Sequence, residues 1–455
     1  MGRPATLTLQ RYEALRRYVD VELVRREPRR KDPEGKVRTA LAFNAALGDP
    51  QRCAPAVQVA GTSGKGSVAA LIAAALDAAG LRTGLHVSPY LQSFSEKTWI
   101  SGRYAAVEDL ERALARARPV AERFRSDPDG PASVHGMTSL ALSYLAFAEA
   151  RVSAQVIETG VGGRYDLVQG LDLALAVVTD LGLDHLRALG ATLEEIAWHK
   201  AGVLRLGVPA VAVRGPGWEV LAAEAERVGA PLEGVDPARV LVERAGRRVC
   251  LRLPALGEVE VELSSAAPFL ARNAAVAASA LDRLARAGWP VGPEALREGF
   301  ARRVLPGRCE AMPEAGVRVV LDGAHNPQKL GALLEALDGR PLVAVVAATG
   351  SRTPEALVRA LAPRVRCLVV TELGLYGKES VRASALVEAA RERGLVAWAG
   401  GEPACALERA LEEARAGETV LVTGSLYLLG AVRGRWYPTE EVIRQRTSWP
   451  APRRS

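Results

Sequence analysis

The sequence of 455 residues predicts an α/β protein with two domains, residues 1–303 and 304–455. Short apolar segments alternate with amphipathic helical segments, a pattern typical of a mostly parallel sheet with helices on both faces. A glycine-rich loop stands between such a strand and a helix early in the chain. After the sequence Leu305-Pro306-Gly307-Arg308 a second series of strands and helices begins, and this break predicts the domain boundary.

The composition excludes several classes of protein. Hydrophobic residues make up 49% of the chain and charged residues 24%, and no uncharged apolar run reaches the ~18 residues that a membrane span needs. The N-terminal residues lack the apolar core of a signal peptide, so we expect a cytoplasmic protein with no membrane association. Five cysteines without CxxC spacing argue against a disulfide framework and against a zinc site.

Nearly all of the cations are arginines. The chain has 52 arginines, seven lysines and a net charge of +7. The arginines are spread along helices without a basic stripe that alternates with aromatic residues, so we expect no nucleic-acid partner. A lysine that remains in such a chain is a candidate for a role that needs an amine or a compact charge.

A candidate phosphate-binding loop opens the first domain. It reads Gly61-Thr62-Ser63-Gly64-Lys65-Gly66-Ser67, and its glycines allow a tight turn that directs backbone N–H groups into one concavity at a helix N-terminus. Lys65 could reach the outer phosphates of a nucleotide and Ser67 a bound Mg²⁺, although the loop is not a regular Walker A sequence. The elements predicted around the loop are helices at 10–26 and 37–47, a strand at 56–59 and a helix at 68–79.

Polar loops follow the next strands of the first domain. Glu158 stands at the end of one strand, and Asp184 and His185 follow another. Ligands of open α/β sheets bind outside the carboxyl ends of the strands, so we expect these loops to face the phosphate loop and Glu158 and His185 to be candidate metal ligands. The predicted elements are strands at 83–87, 154–157 and 174–178, helices at 107–125 and 137–150, a loop at 88–102 and a turn at 127–131.

The remaining segments complete the two domains. A helix is predicted to end at Lys200-Ala201-Gly202, and Asn273 is expected to open an alanine-rich helix over 274–287. Residues 218–262 indicate a helix and short β segments. In the second domain strands are predicted at 317–321, 342–347, 367–371 and 419–422, with Asp322 at the first junction between a strand and a helix.

Eight motifs occur in a fixed order along the chain. They are GTSGKGS at 61–67, SPYL at 88–91, ETGVGGRYD at 158–166, GLDH at 182–185, HKAG at 199–202, PGR at 306–308, DGAHNP at 322–327 and VTGSLYL at 422–428. In this order the motifs resemble the folylpolyglutamate synthase and dihydrofolate synthase family, a branch of the Mur ligase superfamily of ATP-dependent amide-bond ligases. The resemblance covers roughly residues 38–435. It implies a P-loop ATPase domain of the Mur ligase type with a smaller, Rossmann-like C-terminal domain.

The resemblance also implies a role for each residue at a matching position. ATP in the cleft between the domains would be bound by Gly64, Lys65, Gly66, Ser67, Asn273 (adenine), Arg308 (γ-phosphate) and Asp322 (ribose). Ser88, Glu158 and His185 would hold two Mg²⁺ ions, and Lys200 would carry a carbamate. Substrate contacts would come from Tyr90, Arg164, Asp166, His325 and Ser425. The catalytic residues would be Lys65, Lys200, His185, Arg308 and His325.

The implied reaction joins L-glutamate to a folate or dihydropteroate carboxylate. ATP converts the carboxylate to an acyl phosphate, and the amine of glutamate then displaces phosphate, so positioning and charge neutralisation do most of the work. The implied protein is a monomer with no nucleic acid among its partners. Two alternatives stay open at this point: a Mur-type ligase with another acid or amine, and a nucleotide-binding regulator without catalysis.

The chain departs from the family pattern at several positions. The departures are Ser63, Val168-Gln169, Phe269-Leu270, Ser351-Arg352-Thr353 and His135. Nearly all of the nucleotide and metal positions are kept, so the sequence supports the use of a nucleotide more directly than the identity of the substrate.

Overall fold

The computed structural model of the protein describes residues 7–24, 32–126, 133–302, 305–350, 353–374 and 379–452. Packing divides the chain into two units. The first comprises residues 1–88, 95–266 and 270–304, and the second comprises 89–94, 267–269 and 305–455. The short segments 89–94 and 267–269 pack with the second unit although they lie within the sequence of the first, a division that local sequence patterns did not predict.

An eight-stranded sheet forms the centre of the first unit. In chain order its strands are β1 (Ala56–Ala60), β2 (Thr83–His86), β3 (Thr98–Ile100), β4 (Arg103–Tyr104), β5 (Ala154–Glu158), β6 (Leu173–Val178), β7 (Ala210–Val213) and β8 (Leu232–Val235). They lie in the order β4-β3-β2-β5-β1-β6-β7-β8. Neighbouring strands are parallel except where β3 pairs with β2 and with β4. The mostly parallel sheet expected from the sequence is confirmed.

The order of the central strands brings three loops to one edge of the sheet. Strand β1 lies between β5 and β6, and all five of its residues are buried. Val59 is level with Glu158 of β5, and Ala60 is level with Val178 of β6. Parallel strands in this register end together. The phosphate loop, Glu158 and the segment after Val178 therefore begin side by side.

Helices surround this sheet. They are α1 (Leu7–Arg17), α2 (Pro33–Ala46), α3 (Lys65–Ala78), α4 (Val107–Ser126), α5 (Val134–Glu149), α6 (Leu186–Leu189), α7 (Leu193–Ala201), α8 (Trp218–Val228), α9 (Pro237–Val240), α10 (Pro268–Arg286) and α11 (Pro293–Ala301). Alanine-rich α3 is mostly buried, and the space beside it is tight, because a Cβ on Gly299 of α11 would lie 2.6 Å from Ala75 Cα. Close packing of this kind fixes α3 beneath the loop that precedes it. In the described part of the chain, none of the helices combines the length and apolarity needed to cross a membrane.

A small antiparallel sheet completes the first unit. Its strands, β9 (Leu241–Ala245), β10 (Arg248–Leu253) and β11 (Gly257–Glu262), lie in the order β11-β10-β9. Val249, Leu251 and Leu253 are buried, whereas Arg248 and Arg252, on the opposite face of the strand, are exposed. This alternation is the pattern of a sheet with one face toward the core. It agrees with the short β segments expected in 218–262.

The second unit contains a six-stranded sheet. Its strands are β12 (Glu310–Met312), β13 (Arg318–Leu321), β14 (Leu342–Val346), β15 (Val365–Val370), β16 (Val396–Ala399) and β17 (Thr419–Thr423), in the order β12-β13-β17-β14-β15-β16. Only β12 is antiparallel to its neighbour. The helices are α12 (Pro327–Ala336), α13 (Pro354–Leu361), α14 (Ala383–Arg391), α15 (Pro403–Glu413), α16 (Leu426–Arg433) and α17 (Thr439–Gln445). This is the expected smaller α/β fold.

A buried arginine ties the segment 89–94 into the second unit. Arg433 is 0% exposed, and its Nη2 lies 2.8 Å from Glu310 Oε1. Its Nη1 donates to Gln92 Oε1 over 3.1 Å, and Leu91 belongs to the apolar core of the unit. A buried guanidinium needs a paired carboxylate and further acceptors, and this network supplies both.

Several expectations for the elements were wrong. Asn273 does not open a helix, because α10 begins earlier at Pro268, a residue suited to the first helical position. The segment 88–102 is not all loop, since β3 pairs with β2. The helix expected at 10–26 changes at Tyr18 into a π turn that ends at Glu22. The turn predicted at 127–131 and the departures at residues 351 and 352 lie outside the described residues.

Candidate functional site

The candidate phosphate loop makes a tight turn between β1 and α3. Gly61 has a φ of +143° and Gly64 a φ of +84°, values that favour glycine. A Cβ on Gly61 would lie 1.9 Å from Thr179 Oγ1, and a Cβ on Gly64 would lie 2.3 Å from Asn273 Oδ1. Helix α3 begins directly after the turn, and the first N–H groups of a helix have no intrahelical acceptor. The strand, loop and helix expected here are all present.

The segment after β6 holds this loop in shape. The Asp180 carbonyl accepts the N–H groups of Thr62 over 2.9 Å and Ser63 over 3.3 Å. The Thr179 hydroxyl donates to the Ser63 carbonyl over 2.6 Å. The Thr62 hydroxyl donates to the Gly182 carbonyl over 3.0 Å. The loop therefore takes its conformation from residues more than a hundred positions later in the chain.

Two lysines singled out by the sequence reach one carbonyl oxygen. Lys65 Nζ donates to the Gly61 carbonyl over 3.2 Å, and Lys200 Nζ donates to it over 2.6 Å. Lys200 is 3% exposed and comes from α7. Two ammonium groups that share one carbonyl repel each other, and burial adds to the cost of a charge at Lys200. A change that removed the positive charge of one amine would relieve this repulsion.

Glu158 and Ser88 lie together at the same sheet edge. The Ser88 N–H donates to Glu158 Oε2 over 2.9 Å, and Glu158 is 7% exposed. A carboxylate and a hydroxyl are the hard oxygen ligands that suit Mg²⁺. Among the described residues no group of three or more His, Cys, Asp or Glu is close enough to hold a metal ion. The donor pair agrees with Mg²⁺ held by few protein ligands and by phosphate oxygens.

The predicted second metal ligand, His185, lies at the start of α6. Its φ of +54° places it in the left-handed region, and its backbone N–H donates to Asp184 Oδ1 over 3.0 Å. The residue is exposed. It follows the strand adjacent to the one that carries the phosphate loop, but among the described residues it does not join Glu158 in a group of three or more His, Cys, Asp or Glu that could hold a metal ion. The metal role of His185 stays a prediction.

The ETGVGGRYD and HKAG motifs pack against each other. A Cβ on Gly202 would lie 2.2 Å from Arg164 Cα, and a Cβ on Gly163 would lie 2.9 Å from the Lys200 carbonyl oxygen. The Arg164 N–H donates to the His199 carbonyl over 2.8 Å. The glycines of the two motifs therefore allow the backbones to approach each other. This contact locates the end of α7, and with it Lys200.

Two predicted substrate residues have structural partners. The Asp166 carboxylate is 5% exposed and accepts the N–H groups of Val161 over 2.9 Å and Val168 over 3.0 Å. Arg164 Nη2 lies 2.6 Å from Glu224 Oε2, and its guanidinium carbon lies 3.9 Å from the centre of the Trp198 ring. Both side chains thus support the loop that carries them, and their role toward substrate stays a prediction.

An aromatic group on α7 and the loop after β5 was not predicted from the sequence. Tyr165 and Trp198 both pack edge-on against His199, and their own rings are tilted against each other. The three pairs of ring centres are 5.1–6.2 Å apart. Burial, together with the nearby Arg164 guanidinium, lowers the pKa of His199. The lowered pKa favours the neutral imidazole at the residue that precedes Lys200. The place of His199 directly before Lys200 in the HKAG motif was the one feature of the sequence that could have drawn attention to this group.

The N-terminal part of α10 reaches the loop directly through Asn273 and indirectly through Asp180. Asn273, predicted to bind adenine, is 7% exposed, and its side-chain oxygen occupies the space next to Gly64. Arg272, which the sequence reasoning missed, makes two hydrogen bonds to the Asp180 carboxylate, 2.8 Å from Nε and 2.6 Å from Nη2. No local pattern pairs residues so far apart in the chain. The adenine role of Asn273 stays a prediction.

In the second unit, the PGR and DGAHNP motifs come together. The Asp322 carboxylate accepts the N–H groups of Cys309 over 2.7 Å and Ala324 over 2.8 Å. Arg308 lies nearby, since a Cβ on Gly323 would meet Arg308 Nη1 at 2.9 Å. Burial raises the pKa of the Asp322 carboxyl, and the Arg308 charge and the two N–H groups oppose that rise. Two predicted nucleotide residues therefore share one site within this unit.

His325 follows in the same loop with a defined tautomer. Its Nδ1 lies 2.8 Å from the Gly323 carbonyl oxygen, which can only accept, so Nδ1 carries the proton. Nε2 then accepts from Lys329 Nζ over 3.1 Å. Lys329 is another of the seven lysines and was missed, although its rarity could have drawn attention.

The two other predicted substrate residues of this unit lie in different settings. Ser425 is 4% exposed and caps α16, because its hydroxyl accepts the Tyr427 N–H over 3.3 Å. Tyr90 packs edge-on against Phe94 with ring centres 6.0 Å apart. Their contacts with substrate stay predictions.

Comparison with known proteins gives consistent matches. The family model of the Mur ligase glutamate ligase domain matches residues 307–426. The dihydrofolate synthase/folylpolyglutamate synthase of Mycobacterium tuberculosis is 34% identical over 391 residues, which is 79% of each chain. A probable bifunctional folylpolyglutamate synthase/dihydropteroate synthase of Haloferax volcanii is 32% identical over 415 residues, or 86% of this chain. The chain spans 47% of that protein.

A solved structure extends the match to three dimensions. Mycobacterium tuberculosis folylpolyglutamate synthase complexed with ADP superposes with a TM-score of 0.84 at 28% identity. The superposition covers 94% of this chain and 99% of that one.

Proposed function

Because the chain belongs to the folylpolyglutamate synthase and dihydrofolate synthase family, we propose that it is an ATP-dependent ligase that joins L-glutamate to a folate or dihydropteroate carboxylate. The acid would first become an acyl phosphate at the expense of ATP. The amine of glutamate would then attack the acyl carbon, and phosphate would leave through a tetrahedral intermediate. ADP and phosphate are the other products.

One observation supports the proposal more strongly than the others. Lys65 and Lys200 meet at the Gly61 carbonyl, at the sheet edge where Glu158 also ends its strand. A phosphate loop, a compact cation and a buried carboxylate in adjacent loops supply what phosphoryl transfer needs, namely phosphate binding and charge neutralisation. In a chain with 52 arginines, lysine at both positions indicates a need for an amine rather than for charge alone.

We propose that Ser88 and Glu158 hold one Mg²⁺ ion and that His185 contributes to a second. Bound Mg²⁺ would neutralise charge on the phosphates. The burial of the Glu158 carboxylate and its contact with the Ser88 backbone support this assignment, because they place Ser88 next to Glu158. Gly64 and Gly66 keep the loop backbone open to phosphate, Lys65 brings its cation to the outer phosphates, and Ser67 lies in the first turn of α3.

Carbamylation of Lys200 is the next part of the proposal. A carbamate would convert the buried cation into an anion suited to a place beside Mg²⁺, and its remaining N–H could still donate to the Gly61 carbonyl. The repulsion between Lys65 and Lys200 would become an attraction. Arginine could not form this group at neutral pH.

Residues of the second unit have proposed roles in the same reaction. Arg308 would stabilise the γ-phosphate charge in the transition state, and Asp322 would bind the ribose. His325, neutral with its proton on Nδ1, would lie near the nucleotide and the incoming glutamate. The proposal has three further parts. Asn273 would contact the adenine, and substrate contacts would come from Tyr90, Arg164, Asp166 and Ser425. The protein would be a cytoplasmic monomer.

The test is an ADP-release assay with L-glutamate and a panel of acids. We expect turnover with dihydropteroate or tetrahydrofolate and none with peptide precursors of the cell wall. Lys65→Ala should abolish turnover while the melting temperature stays within about 2 °C of the parent, because a partly exposed lysine at a helix N-terminus adds little to core stability. Turnover with a cell-wall precursor alone would assign another substrate, and ATP turnover retained by Lys65→Ala would refute the phosphate-loop assignment.

A further inference from the structure

The pair formed by Arg272 and Asp180 lies directly behind the phosphate loop. Both hydrogen bonds of the pair are short, 2.8 Å from Nε to Oδ2 and 2.6 Å from Nη2 to Oδ1, so the guanidinium and the carboxylate meet side by side. This bidentate arrangement fixes the orientation of both groups more firmly than a single contact does. The Arg272 side chain is 42% exposed and that of Asp180 is 24% exposed.

Asp180 connects this pair to the loop. Its side chain is bound by Arg272, while its backbone carbonyl accepts the N–H groups of Thr62 and Ser63. Any rotation of residue 180 would therefore move the acceptor of two loop amides. Because those two N–H groups already have an acceptor, the N–H groups at the start of α3 are the ones that remain available to a phosphate.

The same helix turn contacts the other end of the loop. Asn273 follows Arg272 in α10, and its Oδ1 lies where a Cβ of Gly64 would stand. Gly64 is the residue immediately before α3. Adjacent residues of α10 thus fix the start of the loop through Asp180 and its end by direct packing.

We propose that Arg272 is a positioning residue for the phosphate loop, acting through Asp180 rather than by contact with the nucleotide. This inference rests on the proposed function for the identity of the ligand, a nucleoside phosphate. The alternative is an ordinary surface ion pair, which contributes little to folding and would leave the loop unchanged. The two explanations predict different effects of Arg272→Met on the hydrogen bonds of the loop amides. Only a positioning role predicts that these hydrogen bonds weaken.

Amide hydrogen exchange of the ligand-free protein is the first measurement. Arg272→Met should speed exchange in peptides that contain Thr62 and Ser63, because their acceptor is no longer held. The matched control is Arg302→Met, which breaks a pair with Asp77 near the C-terminal end of α3 and a second pair with Glu298. Arg302 and Asp77 are 2.7 Å apart, and their side chains are 36% and 17% exposed. Unchanged exchange in Arg272→Met, or equal acceleration in the control, overturns the proposal.

Affinity for ADP is the second measurement and separates positioning from direct contact. Arg272→Met, Asp180→Asn and the double variant should each weaken ADP binding by about tenfold, and the double variant no more than either single one, since both residues act as one unit. Arg272→Lys should recover part of the affinity. Weakened binding in the Arg272 variant together with normal binding in Asp180→Asn would indicate direct contact with the nucleotide and overturn the proposal, as would normal affinity in all variants.

The two measurements also separate this inference from the proposed function. If the parent protein bound no ADP, the proposed function would fail, and the exchange rates alone would decide whether Arg272 positions the loop. If the parent bound ADP but produced no ADP from ATP with any folate acid, the substrate assignment would fail. Hydrogen exchange and ADP affinity would still test the Arg272–Asp180 pair.

Discussion

Lys65 and Lys200 show at the scale of single residues how chemistry selects a side chain. Both amino groups donate to the Gly61 carbonyl, although they come from different helices. Arginine is more than seven times as common in this chain and could satisfy the same carbonyl. What arginine lacks is a compact charge and an amine that can lose its proton and react. The burial of Lys200 beside the Lys65 amine is the reason that a carbamylated lysine is proposed at this position.

Lys200 variants test this view. Lys200→Ala should lose ligase activity and regain part of it with added short-chain carboxylates, which can replace the anionic carbamate. Lys200→Arg should stay inactive, because it keeps a positive charge but cannot be carbamylated. Lys36→Arg is the matched control and should be fully active, because Lys36 belongs to α2 and to none of the motifs of the candidate site. An active Lys200→Arg enzyme would remove the carbamate from the mechanism.

At the scale of elements, the loop after β5 and the end of α7 depend on glycine for their mutual approach. Gly202 has an ordinary φ of −62°, so the requirement is for space rather than for an unusual backbone conformation. The space is taken by the backbone of Arg164, which cannot rotate away as a flexible side chain could. Because α7 carries Lys200, the same contact sets the position of the amine relative to the phosphate loop.

Gly202→Ala should therefore destabilise the first unit. Its Cβ would lie 2.2 Å from Arg164 Cα, and overpacking of this kind costs about 1–3 kcal/mol. Denaturant unfolding and the ADP-release assay measure the two effects, and we expect both stability and activity to fall. Gly215→Ala is the control, since nothing lies within 4 Å of its added Cβ and its φ is not positive. Equal stability of the two variants would contradict the close approach.

At the scale of the whole molecule, buried polar groups make stability depend on pH. His86 is 3% exposed, and its Nδ1 lies 2.8 Å from Ser143 Oγ. Burial, together with the charge of Lys97, lowers the pKa of His86 to about 3. The folded protein keeps this histidine neutral, whereas the unfolded chain binds a proton as the pH falls below 6.5. Folding is therefore opposed increasingly between pH 6.5 and about 3.

The first unit should lose about 2 kcal/mol of stability between pH 7 and pH 5 because of His86, at about 1.4 kcal/mol per pH unit below the unfolded pKa. His199, whose pKa is also lowered, adds to the same trend. His86→Gln retains a hydrogen-bonding group but does not titrate, so its unfolding free energy should depend less on pH. The unfolding free energy of the parent and of His86→Gln is measured by denaturant unfolding at each pH. If it falls equally with pH in both proteins, His86 is not the cause of the loss of stability.

Much of the fold and of the candidate site could be predicted from local sequence. The alternation of apolar and helical segments indicated two α/β sheets, and the glycine spacing at 61–66 indicated a tight turn before a helix. The order of the motifs pointed to the family. These signals are local because helix periodicity, strand burial and turn formation depend on residues that are near in sequence.

Only the tertiary structure decided which distant groups meet. The strand order β5-β1-β6 brings Glu158 and Asp180 beside the phosphate loop, and Arg272 reaches Asp180 from 92 residues away. The burial of His86 and the place of segment 89–94 in the second unit belong to the same class. Contacts between distant segments depend on how whole elements pack, and many sequences with the same local pattern could pair differently. The sequence alone determined which chemistry was available, and packing decided where it was assembled.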